Sequence, residues 1–392
     1  MTAIPAHPGA PKSSPRSVSM SRQRIKENLT GYLFILPSVL IIGLFGLFPI
    51  IFSVYMSTLN WRARKGGFIG LSNYQQALGD FSGVLLFVAG ILLFVAAYFI
   101  WNRALRSSDN RVLIGGVLAA LALIGGGYVL SSGWGQMIAA GDKRFLNALP
   151  ITLFYSLGTV PAELFLGLVL AYILFQKIRG KELFRMIYFL PYITPAIATA
   201  VVFRNIFSPR ESSLANWALS AFGIEPMKWL FEPRPIINVI FGTNFEGFLA
   251  GPSMALVSII LYGIWTYVGY NVIVFLAGLG SIPNETYEAA EIDGASHWQM
   301  FRHVTVPLIS PVTFYLALVA FIGTFKAFNH IYVMRTPNAL GTVDVASVAI
   351  FDTFYKMNNY GYAAAQAIIL FVIIAALTYA QNRIFSEKVF YG

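Results

Sequence analysis

Cysteine is absent from all 392 residues. No disulfide framework, thiolate metal site or cysteine nucleophile is therefore available. Charge is scarce as well, since only 11% of the residues are Asp, Glu, Lys or Arg, against about a quarter in an ordinary soluble domain. The four histidines are not paired at metal-ligand spacing. No Gly-rich loop ending in Lys-Ser/Thr follows a strand-like run, so enzymatic phosphate or metal chemistry has no residues to carry it. Stretches of ten residues with alternating hydrophobicity are missing too, which excludes a membrane barrel. The formal net charge of +10 raises the question of nucleic acid. The basic residues, however, sit in short clusters between apolar runs and make no continuous stripe, so no nucleic-acid partner is expected.

What is abundant is apolar: 57% of the chain. Long uncharged stretches recur at about 31–57, 83–101, 112–130, 150–176, 184–207, 253–279, 307–328 and 362–385. Each is near the ~20 residues that cross a bilayer as a helix. Because a span in lipid must satisfy its own backbone hydrogen bonds, all eight are expected to be α-helical. The fold class is an all-α membrane protein, a polytopic bundle of about eight transmembrane helices in contact with lipid. Residues 1–30 read as a disordered cytoplasmic tail, with Pro5, Pro8, Pro11 and Pro15 among small residues and Arg16, Arg22, Arg24 and Lys26 before the first span. The run that follows is about twice the length of a signal-peptide core, so the first helix is expected to be retained. Residues 31–392 then form one membrane domain.

Lys and Arg set the expected orientation. The short loops at 102–111 and 177–185 are strongly basic, which places both termini in the cytoplasm of a multi-pass protein of the bacterial cytoplasmic membrane. On the outer face, connectors at 208–252 and 329–361 are long enough to dock a partner. Pro191 with Pro195 and Pro307 with Pro311 fall inside apolar spans, where kinks often line a path.

The most informative stretch joins the sixth and seventh spans. Asn284 is expected to cap a short helix with Glu285 and Glu288 in its first turn, and Gly294 suits its C-terminal stop. Ser296 and Gln299 stand at capping-box spacing for a second helix running toward Pro307. Small Ala289 and Ala290 admit close approach of another surface. Glu288 offers charge to a basic partner, and Trp298 and Phe301 give apolar area one turn apart. Helix physics alone is equally satisfied by an amphipathic loop resting on the membrane.

The spacing of Glu288-Ala289-Ala290, Asp293-Gly294 and Pro307 resembles the cytoplasmic loop of the inner-membrane permeases of binding-protein-dependent ABC importers. Val304 and Val306 stand where that pattern has Ile and Leu. Leu36-Pro37-Ser38, Phe48-Pro49-Ile50, Gly70-Leu71-Ser72-Asn73-Tyr74, Phe184-Arg185 through Pro191, and Tyr360 to Ala365 are similar to the carbohydrate branch, nearer its MalF type than its MalG type. The resemblance implies a six-helix core interrupted by an inserted hairpin at about 80–135, and a coupling loop at about 281–306 that docks on an ATPase subunit. It also implies partners: a second, MalG-like permease, two ATPase subunits and an extracytoplasmic sugar-binding protein. ATP and Mg would be used by the ATPase partners, and this chain, a channel subunit and no enzyme, would bind no cofactor. Transport of a sugar, of di- or oligosaccharide size, by alternating access follows from the same resemblance.

A sugar path calls for neutral hydrogen-bonding groups beside aromatic faces. On the sixth span Tyr267, Tyr270 and Asn271 fall at i, i+3 and i+4 and share one helix face, with Trp265 close by. Thr324, Lys326 and Asn329 add polarity at the end of the seventh. Lys326 can instead snorkel to the interface, and the tyrosines can instead be packing aromatics. Glu163 in the fourth span either lies in a polar cavity or pairs with a neighbour. It also sustains the rival reading, an ion-coupled secondary transporter.

Overall fold

The computed structural model describes residues 22–105, 111–176 and 179–385. The expected tail at 1–21, Arg106, Lys177 and Lys388 lie outside the described residues. The chain divides into two compact units, residues 1–53 and 54–392. In the first, α1 (Arg22–Ile42) passes through a π-helical segment, Gly43–Leu47, into α2 (Phe48–Ser57). The chain is already helical at Arg22, the first described residue and ahead of the apolar run, so residues 22–30 of the tail expected at 1–30 are helical.

The second unit begins within α2, at Val54, and continues with the antiparallel strands β1 (Leu59–Trp61) and β2 (Lys65–Phe68) and then α3 (Ser72–Leu78). Buried Asn73 ties them together, since its Nδ2 donates to the carbonyls of Ser57 and Leu59 at 2.8 and 3.0 Å. Helices α4 (Phe81–Leu105) and α5 (Arg111–Ala140) pack on each other as a hairpin. A Cβ on Gly133 would lie 2.4 Å from the Phe87 amide nitrogen, so the two backbones meet through small residues. Leu92, Leu121, Ile124 and Tyr128 on this hairpin are exposed.

Helix α6 (Lys143–Phe175) is capped by Asp142, whose carboxylate accepts from the amides of Arg144 and Phe145. Next come α7 (Lys181–Ile193) and α8 (Ala196–Ile206), two apolar helices that meet at a 95° bend. Pro195 occupies the N-cap of α8 and Pro191 lies inside α7, so this proline pair marks the break. After α9 (Leu214–Ser220) and α10 (Ile236–Phe241) the chain enters α11 (Met254–Leu279), the most buried span. Tyr262, Ile259 and Phe275 of α11 and Tyr155 of α6 are fully buried core residues.

Then follow α12 (Asn284–Ile292), α13 (His297–Met300), a π-helical segment Phe301–Thr305, α14 (Val306–Leu308) and α15 (Ser310–Phe325). A 63° bend between α14 and α15 falls at Pro307 and Pro311. Helices α16 (Asn329–Met334) and α17 (Ala346–Phe351), a π-helical segment Asp352–Lys356, and α18 (Tyr360–Phe385) complete the described chain. Among the described residues six continuous helices are long and apolar enough to cross a membrane, and the two bent pairs bring the number to the eight expected from the sequence if each is one span.

Candidate functional site

The segment between α11 and α15 is a helix, a glycine turn and a second helix. Pro283 rather than Asn284 holds the N-cap of α12, at φ −59° and ψ 134°, and no side chain caps it. The proline ring sets φ there, so Asn284 becomes the first helical residue. Of the two acids expected in the first turn only Glu285 lies there, with Glu288 a turn further on. At the other end the Ala295 amide donates to the Ala290 carbonyl and the Gly294 amide to the Glu291 carbonyl. Gly294 has φ +79°. This is a Schellman stop, which needs a residue without Cβ in the left-handed region. Ser296 and Gln299 form the expected reciprocal capping box at the start of α13.

The outward side of this segment is uncovered. Glu285, Glu288, Glu291 and Asp293 are exposed and form no ion pair among the described residues. Ile292 is 86% and Trp298 65% exposed. The inner side is anchored: Tyr287 shares a hydrogen bond with Thr305 at 3.2 Å and meets the Phe175 ring. Phe301 lies between Trp298 and Tyr172, with ring centroids at 5.7 and 4.8 Å. Ile282 and Ile309 belong to one buried cluster with Leu279 and Phe275 of α11. Packed side chains thereby join this segment to α11 and α15.

At the bend between α7 and α8 the aromatic residues of α11 come together. Tyr192 stacks on Tyr270 at 4.9 Å and meets Tyr267 edge-on at 6.2 Å, while Trp265 packs on Phe203 at 4.7 Å. Trp265 remains 41% exposed. Asn271 leaves this group: it is buried against α6, where a Cβ on Gly167 would lie 2.7 Å from the Asn271 Cβ. The helix rotates enough in one residue that i+3 and i+4 part company at the edge of a buried face. Tyr192 and Phe203 were not singled out in the sequence. Tyr192 stands between Pro191 and Pro195, and that pair was the available signal.

Thr324, Lys326 and Asn329 do not form a group. Buried Thr324 shares a 2.8 Å hydrogen bond with Ser156 of α6, whereas Lys326 and Asn329 are exposed. Lys326 is the C-cap of α15, so it lies at a helix end rather than inside a span. Near this end, Tyr155 and His330 Nε2 are 2.8 Å apart in the buried core. Glu163, also buried, has no hydrogen-bond partner at Oε2.

A second charged centre lies at the opposite end of α11 from α12, and no sequence pattern marks it. Arg144 of α6, Arg335 and Lys356 converge on buried Asp352, with Arg335 at 2.9 Å and Lys356 at 2.8 Å. Arg335 and Arg144 also reach Asp344. Burial by itself raises the Asp352 carboxyl, but hydrogen bonds from Lys356, Arg335 and Arg144 outweigh it and hold the group at about 2. Tyr362 donates to Asp142 at 2.7 Å beside it, so α6, the 335–356 connector and α18 are tied at one place. Among the described residues no cluster of three His, Asp or Glu side chains is placed to hold a metal ion.

Residues 163–391 match a family model described as the binding-protein-dependent transport system inner membrane component. The arabinooligosaccharides transport system permease protein AraP of Bacillus subtilis is 31% identical over 64% of this chain and 75% of its own. The trehalose/maltose transport system permease protein MalF of Thermococcus litoralis is 30% identical over 60% of this chain and 73% of its own. In fold, the chain is similar to one chain of a crystal structure of a bacterial alginate ABC transporter in complex with an alginate pentasaccharide-bound periplasmic protein. The TM-score is 0.62 and the identity 19%, covering 94% of this chain and 98% of that one.

Proposed function

This chain belongs to the binding-protein-dependent transport system inner membrane component family, and we propose that it is the MalF-like permease subunit of an ATP-driven importer of di- or oligosaccharides. Its partners in this reading are a second, MalG-like permease, two ATPase subunits that consume ATP and Mg, and an extracytoplasmic sugar-binding protein. The permease sits in the bacterial cytoplasmic membrane with both termini inside, and binds no cofactor of its own.

The observation that carries the proposal is the segment from Asn284 to Leu308. A rigid turn at Gly294, an uncovered acidic and apolar face, and an anchored inner face suit docking on a separate subunit. Glu288, Ala289, Ala290, Asp293, Gly294, Trp298, Phe301 and Pro307 form this coupling loop. When the ATPase subunits close on ATP, α12 is carried with them. The buried cluster of Ile282, Ile309, Leu279 and Phe275 passes the displacement to α11 and α15. The aromatic cluster of Trp265, Tyr267 and Tyr270 on α11 offers ring faces that suit pyranose faces, and in this reading its exposure alternates between the two sides. Direction comes from the differential affinity of the ATPase-closed and ATPase-open states.

Buried Glu163 is what a rival, ion-coupled secondary transporter would use. Liposomes distinguish the two. The chain alone under a proton or sodium gradient should give no uptake of maltose, trehalose or arabinotriose. The chain with both ATPase subunits, the second permease and the binding protein should give uptake only with ATP. Gradient-driven uptake by the chain alone contradicts the proposal.

A further inference from the structure

The two helices of the 95° bend, α7 and α8, are fastened to α11 in different ways. Helix α7 lies directly on the α11 backbone, since a Cβ on Gly269 would fall 1.7 Å from the Tyr188 carbonyl oxygen. Helix α8 stands further off and meets α11 through side chains. Its attachment is a hydrogen bond: the Tyr262 hydroxyl of α11 and Thr199 Oγ1 of α8 are 2.7 Å apart. Tyr262 also reaches the Ala196 carbonyl at 3.2 Å, and Thr199 Oγ1 reaches the same carbonyl at 3.1 Å. Three oxygens therefore close a triangle over the first turn of α8, just after Pro195 at the break.

Tyr262 is fully buried and Thr199 is 9% exposed. A hydroxyl in such a place is costly unless paired, and each here has its partner. The Tyr262 ring is held from two sides, by Phe203 of α8 edge-on at 5.1 Å and by His330 at 5.1 Å. His330 shares a 2.8 Å hydrogen bond with the Tyr155 hydroxyl. Clamped in this way, the Tyr262 ring keeps its hydroxyl on α8. Thr199 and Phe203 are four residues apart and share one face of α8. Phe203 packs at 4.7 Å on Trp265 of the aromatic cluster. The hydroxyl pair thus fixes the helix that supports the Trp265 ring.

We propose that Thr199 and Tyr262 are positioning residues of the saccharide path, their hydrogen bond holding α8 on α11 so that Phe203 keeps the Trp265 ring in place. Neither hydroxyl touches the sugar; both act through Phe203. The inference rests on the proposed saccharide path, and its test is built to separate the two.

The complete complex in proteoliposomes is assayed with maltose, trehalose and arabinotriose. T199V removes the hydroxyl and keeps the branched shape. It should raise KM about fivefold with little change in maximal rate, the scale of one neutral hydrogen bond. T199S, which keeps the hydroxyl, should leave KM where it was. Y262F should raise KM at least as far as T199V, because both of its contacts go, and the double variant no further than Y262F, as for residues acting as a unit. An unchanged KM in T199V, with or without a fall in maximal rate, an equal rise in T199S, or additive effects in the double variant overturns the inference. A second arm needs no substrate. The chain has seven tryptophans; replaced by fluorotryptophan in this chain alone, they give fluorine resonances of which the one absent from W265F belongs to Trp265. Thr199 is not among the rings packed on Trp265, so T199V should shift or split that resonance in the assembled complex only by releasing α8, and T199S should not. An unmoved Trp265 resonance in T199V overturns the inference. A moved resonance in a complex that takes up none of the three sugars upholds the positioning role and places the failure in the substrate class.

Discussion

The amide of Ala295 donates to the carbonyl of Ala290 at 2.9 Å around Gly294, whose φ of +79° reverses the chain between α12 and α13. A Cβ at position 294 meets no neighbouring atom, so the demand for glycine is one of backbone conformation alone. G294A should cost roughly 1–2 kcal/mol locally, the penalty of the left-handed region for an L-residue. Because α12 lies outside the spans, the chain should insert normally. ATP-dependent uptake by the assembled complex should fall severalfold, with the amount of membrane-embedded chain unchanged.

Trp298 separates coupling from stability. Its ring is 65% exposed and touches only Phe301 among the aromatic contacts found for it. W298A should therefore change the thermal stability of the purified chain by no more than ±0.5 kcal/mol, as for surface changes generally. The same variant should lose apolar contact with the ATPase, read as weaker co-purification of the ATPase subunit from detergent.

The Asp352 cluster makes a pH prediction. The carboxyl is lowered from its ordinary 3.8 to about 2. A depressed acid contributes stability that is present above its unfolded value and lost as pH falls through the folded one. The chain should therefore lose stability between about pH 4 and pH 2, and D352N should lose that dependence while being less stable at pH 7. We expect about 2 kcal/mol there, below the 3–5 typical of a broken buried pair because Arg144 and Lys356 keep access to water. Thermal denaturation in detergent across this pH range checks it.

Two glycines offer a matched pair. A Cβ on Gly269 would fall 1.7 Å from the Tyr188 carbonyl oxygen, whereas one on Gly323 meets nothing. G269A must push α7 away from α11 and should cost at least 2 kcal/mol, within the range of overpacking. G323A should be neutral or slightly stabilising. Thermal midpoints of both variants, measured side by side, decide this.

The spans were legible because their signal is length and apolarity, which lipid enforces residue by residue. The Gly294 turn and the Ser296–Gln299 capping box were legible because each is local. The N-cap was misread at Asn284 because Pro283, one residue earlier, fixes the backbone there. What escaped depends on helices distant in sequence. The rotation of Asn271 into α6 follows from Gly167, and the cluster on Asp352 brings Arg144 across 208 residues of chain. Lys326 was drawn into the seventh span by its apolar neighbours, though α15 ends there. The close contacts of Gly133 and Gly90 in the hairpin are equally non-local. The family match, from residue 163 onward, leaves that hairpin outside its bounds.

In the proposed function the segment from Glu288 to Gly294 carries force from a separate ATPase. The most direct measurement is ATP-dependent uptake by the reconstituted complex carrying E288K with G294P. We predict that uptake is abolished while the permease remains inserted, and that ATP hydrolysis becomes independent of the binding protein or the ATPase subunits dissociate. Uptake at the unsubstituted rate by that double variant would contradict it.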